Sequence, residues 1–134
     1  MSSLDLVAAR EFVREEHTGV VTRLDSCADA VAASWGADSV EDAGAIATPL
    51  EGCLDEAGVL DRLPDVLAGA VDAAGAELAA SPVAAPPYVV VTSRGVVLRA
   101  TVDAGRLVVR VDAFRVTEDG RYERAETTVR AAVR

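Results

Sequence analysis

The stretch YVVVTSRGVVLRATVDAGRLVVRVDAFRV, residues 88–116, decides the fold. Its apolar residues recur with a period of two and are punctuated by glycines, the pattern of strands with one face buried. Read forward, it continues into a fourth segment of the same kind. The predicted strands are 88–93, 96–103, 106–116 and 121–129. Their turns are Arg94-Gly95, Ala104-Gly105 and Glu118-Asp119-Gly120, the last with its glycine left-handed.

Those turns predict a register. Val102 faces Leu107, Ala100 faces Val109, and Leu98 faces Val111. Val89 and Val91 pair with Ala100 and Leu98. Across the last turn Val109 faces Val129 and Ala113 faces Ala125. All of these are apolar or small, so one sheet face is predicted to be continuous and buried. On the other face Arg99 is predicted to lie directly opposite Arg110, which would set like charges together. Val90, Val97, Val108, Phe114, Val116 and Tyr122 are predicted to share that outer face.

Upstream, SPVAAPP at 81–87 can be neither helix nor central strand and reads as a stiff linker. Before it the period is helical. Residues 3–35 read as one long helix with Leu6, Ala9, Val13, Val20, Leu24, Cys27, Val31 and Trp35 on one stripe. Ser2 or Ser3 is positioned to cap its start, and Gly19 is its weak point, where a break into two helices is the alternative. Thr48-Pro49-Leu50-Glu51 has the form of a capping box for a helix to about residue 57. A third helix is expected over 60–80, with Leu60, Leu63, Leu67, Ala70, Val71, Ala74 and Leu78 facing the core. The expected fold is therefore α+β: three N-terminal helices, one of them long, on one face of a four-stranded antiparallel meander. It forms a single domain over 1–134, with a helical half (1–80), the linker (81–87) and a sheet half (88–134).

Composition bounds the function. The net charge is −9 and the thirteen basic residues are all Arg; Lys, Asn and Gln are missing. Residues 1–87 hold four Arg against sixteen acids, net −12, whereas residues 88–134 hold nine Arg against six acids, net +3. Such acidity is tolerable where salt shortens the Debye length to about 3 Å, as at molar concentration. This composition, and the stretch PPYVVVTSRGVVLRA at 86–100, resembles uncharacterised small haloarchaeal proteins. The resemblance implies a halophilic protein in a potassium-rich solvent.

Residues 1–20 lack a basic segment followed by an apolar run, and no apolar run reaches the roughly 18 residues of a membrane span. A cytoplasmic protein with free thiols at Cys27 and Cys53 is expected. One histidine, His17, excludes a His-rich metal site within the chain. No glycine-rich phosphate loop with its lysine occurs. Acid pairs such as Glu15-Glu16, Glu41-Asp42 and Asp55-Glu56 read as solvated surface. No catalytic residue, metal or cofactor is expected.

The candidate site is instead the outer sheet face, with Arg99, Arg110, Val97, Val108, Phe114, Val116 and Tyr122. An apolar face bearing Arg and aromatics suits an interface. The leading expectation is a non-enzymatic protein that self-associates or binds a protein partner there. The alternative is a small anion, nucleotide or nucleic acid held by the sheet arginines. Nucleic acid ranks low because the overall charge opposes it, and no membrane partner is expected.

Overall fold

In the computed structural model, which describes residues 3–134, four α-helices and five strands form two layers. The helices are α1 (Leu6–Glu16), α2 (Thr18–Ala33), α3 (Gly44–Glu56) and α4 (Leu63–Ala73), with a 3-10 turn at Leu60–Arg62 before α4. The strands are β1 (Ser39–Val40), β2 (Val89–Val91), β3 (Gly95–Val102), β4 (Gly105–Val116) and β5 (Tyr122–Val133). The sheet order is β1-β5-β4-β3-β2 and every pairing is antiparallel. The α+β class stands, with one more helix and one more strand than expected. No helix among the described residues is long and apolar enough to cross a membrane.

The long helix is broken at His17, two residues before the glycine at which the break was the alternative. His17 leaves helical geometry at φ −122° and ψ 37°. Its N–H closes α1 on the Val13 carbonyl, and its own carbonyl accepts from Val20 and Val21 to open α2. Gly19 lies inside α2. The break lets α1 lean on α4 and β5 while α2 turns toward α3. Ser3 does not cap α1; Asp5 does, accepting from the Ala8 N–H at 3.0 Å, and Ser2 lies outside the described residues. The carboxylate cap satisfies an orphan N–H and suits the positive end of the helix.

The capping box does not form. The helix has already begun at Gly44, whose N–H donates to Asp42 Oδ1 at 2.8 Å. Ile46, Leu50 and Leu54, at spacing four and all fully buried, explain the earlier start. Pro49 therefore sits inside α3 and costs it one ladder bond. The last helix stops at Ala73 rather than near 80. Gly75 is left-handed at φ +83°, and Ala76 N–H returns to Val71 O, so the chain leaves through a Schellman-type turn. Where α1 crosses α4, the Phe12 ring lies on Gly69, and a Cβ there would collide with it.

The core lies between the layers. Leu98, Leu107, Val96 and Val109 from the sheet meet Leu24, Leu50, Leu63 and Leu67 from the helices, all essentially inaccessible. Cys27 of α2 and Cys53 of α3 are joined in a disulfide with Cα atoms 5.7 Å apart, which corrects the expectation of free thiols. Their separation of 26 residues carries no local motif, so only the packing of α2 on α3 brings them together.

Two turns are displaced by one residue. The loops are Ser93-Arg94 and Asp103-Ala104, since Val91 pairs with Val96 and Val102 with Gly105. Gly95 and Gly105 open the following strands at φ 155° and 131°. At Gly95 the Val111 carbonyl occupies the space a Cβ would need, which is why glycine sits there. A one-residue turn shift moves the register by two, so Ala100 faces Leu107 and Leu98 faces Val109 and Val89. The buried set is unchanged, because a shift of two preserves the faces.

Candidate functional site

The last hairpin alters the outer face. Val116 pairs with Tyr122 and Phe114 with Arg124, as the three-residue loop with left-handed Gly120 dictates. Between Asp112 and Phe114 the register shifts, so that Asp112 pairs with Thr128 and Val109 with Ala131 rather than Val129. Ala113 and Phe114 donate adjacent N–H groups to one carbonyl, that of Arg94, at 2.7 and 3.1 Å. Two successive N–H groups on one acceptor mark a bulge. Ala113 and Phe114 are consequently both buried, and alternation restarts with the opposite hand.

Phe114 thus leaves the outer face. It is 2% exposed and its ring lies 5.7 Å from that of Trp35 at the end of α2. Tyr122 also packs on the core, and Val116 shares its face through the strand pairing. These three candidate residues are separated from Arg99, Arg110, Val97 and Val108. The neighbouring Arg124, on the helix side, bonds the Asp25 carboxylate at 2.6 Å, Asp29 at 3.1 Å and the Ala113 carbonyl at 3.0 Å. It ties α2 to the bulge.

What remains outside is basic. Arg99 faces Val108, and Arg110 faces Val97 on one side and Arg130 on the other. The direct Arg99–Arg110 opposition does not occur; the two are diagonal neighbours. Arg106 and Arg134 close the same patch, and a shallow concavity of about 230 Å³ is lined by Val97, Val108, Arg99, Arg106, Arg110 and Arg134. Arg130 and Arg134 were not singled out from the sequence. Both lie beyond residue 129, where the fourth strand was predicted to end, whereas β5 runs on to Val133.

Val108 is only 6% exposed although no helix covers it. The aliphatic stems of the surrounding arginines shield it. Arg99 Nε and Arg110 Nε are buried without a hydrogen-bond partner. Among the described residues, the one side-chain carboxylate within 4 Å of these guanidinium groups is Asp112, 3.5 Å from Arg110, in a geometry that leaves its Oδ1 without a hydrogen bond. Among the described residues, Arg99, Arg106, Arg130 and Arg134 form no ion pair. A planar guanidinium offers a fork of donors matched to carboxylate or phosphate. Several such forks surround Val97 and Val108 on this face.

No group of three or more His, Cys, Asp and Glu side chains among the described residues could hold a metal ion. His17 lies against Phe12, ring centroids 5.2 Å apart, at the α1–α2 elbow.

The chain belongs to a family described as a domain of unknown function (DUF7988), whose model matches residues 7–134. No curated protein and no solved structure matches the chain.

Proposed function

We propose that the protein is a non-enzymatic binding module whose outer sheet face docks an acidic surface of another protein. The observation that carries this reading is the set of arginines around Val97 and Val108 with one poorly aligned carboxylate among them. Unpaired guanidinium groups packed beside apolar side chains are what an interface with acidic residues completes. Self-association through this face is disfavoured, because a two-fold copy would set arginine against arginine. The withdrawal of Phe114 and Tyr122 leaves Tyr88, beside Arg99, as the one aromatic among the described residues next to these arginines; a single ring cannot stack successive bases, which favours carboxylates over nucleic acid.

Labelled polyglutamate and a labelled single-stranded oligonucleotide, titrated in parallel and read by anisotropy, test the reading. Polyglutamate should bind the parent chain, and Arg99→Glu/Arg110→Glu should weaken it by more than about 100-fold, at about 1.5–3 kcal/mol per charged contact. Tighter binding of the oligonucleotide would replace the reading with the nucleic-acid one. Light scattering that shows a dimer dissolved by the same double variant would make the face a self-interface.

A further inference from the structure

β5 is paired on both sides only at its start. β1 reaches Tyr122 and Glu123, and beyond them β4 is its sole neighbour. Arg106 and Arg134 exchange both backbone bonds, at 3.2 and 2.9 Å. In an antiparallel ladder such pairs alternate with pairs that exchange none. Ala132, Arg130 and Thr128 therefore bond β4, whereas Val129, Ala131 and Val133 turn their N–H and C=O groups away from it. No strand among the described residues takes those groups.

Beside this edge runs a cleft of about 540 Å³ between the α1–α2 elbow and residues 126–130. Arg10, Arg14, Thr18 and Thr22 line its helix side, and Arg130 stands on the strand side. Glu11 pairs with Arg10 at 2.9 Å and with Arg14 at 3.6 Å, and Glu126 lies beside Arg130, so three guanidinium groups meet two carboxylates. An unpaired edge with a helix-walled groove alongside is the arrangement in which an extended peptide adds to a sheet.

We propose that the free edge of β5 accepts an extended acidic segment of a partner protein as a sixth strand. Backbone pairing with Val129, Ala131 and Val133 gives the affinity, and carboxylates at alternate positions of the segment meet Arg10, Arg14 and Arg130. A second copy's β5 is a poorer occupant, since its own Arg130 and Arg134 would enter a groove already rich in arginine. The proposal does not depend on Arg99, Arg110, Val97 or Val108; Arg130 alone is common to the two surfaces.

The probe is a short peptide alternating glutamate with valine, offered to the full chain, with a second peptide N-methylated at every other residue. The unmodified peptide should bind, slow amide exchange at Val129, Ala131 and Val133, and lose more than tenfold in affinity on N-methylation. Ala131→Pro should lose binding to the same extent while melting like the parent, because that N–H serves no bond within the fold and proline is tolerated on an edge. Arg99→Glu/Arg110→Glu should leave this binding intact. Equal affinity for the N-methylated peptide, loss of binding in the outer-face double variant, or no binding of the unmodified peptide would each overturn the proposal. The N-methylated peptide keeps the test decisive if Ala131→Pro fails to fold.

Discussion

Replacing Phe114 with alanine tests the bulge directly. The ring is 2% exposed, sits in the core cluster and faces Trp35 at 5.7 Å. Truncating a buried Phe costs about 3–5 kcal/mol, the transfer term plus the cavity left behind. A domain of this size has a net stability of about 5–15 kcal/mol, so the loss is a large share of it. At about 3–5 °C per kcal/mol, between the values for smaller and larger domains, the melting temperature should fall by about 10–20 °C. Far-UV circular dichroism follows the global transition, and the fluorescence of Trp35, the one tryptophan, reports the local contact. Val97→Ala on the half-buried outer face is the control and should cost about 1 kcal/mol. Uninterrupted alternation along β4 would instead put Phe114 on the outer face, the face of Val97, with a cost near that of the control. A Phe114→Ala variant melting within a few degrees of Val97→Ala would therefore refute the bulge and return the aromatic ring to the outer face.

Reducing the Cys27–Cys53 disulfide, which closes a 26-residue separation, should lower stability by roughly 3 kcal/mol on the chain-entropy account; an unchanged urea midpoint with and without reductant would contradict it. The hydrogen bond from Thr127 and then the Arg124 guanidinium hold the Asp25 carboxyl below its ordinary 3.8. Its folded pKa is depressed, so its contribution is present above about pH 4 and is lost as pH falls further; Asp25→Asn should narrow the parent's lead in melting temperature as pH drops through that range. If the acidic surface is adapted to salt, the protein should lose stability as KCl falls from molar to about 0.1 M, and equal melting temperatures would remove the halophilic reading.

The sheet was legible in the sequence because its signals are local. Period-two valines and the three-residue loop ending in Gly120 specify strands, faces and the closing turn without reference to the rest of the chain. The displaced turns show the limit. Gly95 is required by the approach of the Val111 carbonyl, a tertiary demand, yet in sequence it reads as a turn residue. The bulge left no trace at all. Ala113-Phe114 is an ordinary strand dipeptide, and only the Arg94 carbonyl, supplied by another hairpin, accounts for the doubled donors. The site was misread by the same route. Arg99, Arg110, Val97 and Val108 precede the bulge and keep their expected face, whereas Phe114, Val116 and Tyr122 follow it and change sides. Gly19 marked the weak point of the long helix, but the break itself falls two residues earlier, at His17. The disulfide was invisible because nothing in residues 27–53 fixes how α2 lies on α3.

The split of charge between residues 1–87 and 88–134 also becomes a spatial fact once the helices form one layer and the sheet the other. The molecule is an electric dipole across its thickness, negative on the helix side. In dilute salt the field of a charged partner exerts a torque on it, so an acidic surface would meet the sheet side turned toward it before contact. The rate of encounter would then fall steeply with ionic strength. Strand addition at β5 draws its affinity from backbone groups that carry no net charge, with the arginine contacts beside them, and its lifetime, once formed, should depend less on salt than the encounter does. The two surfaces would divide the kinetics of recognition, with orientation set by the dipole and residence by the edge.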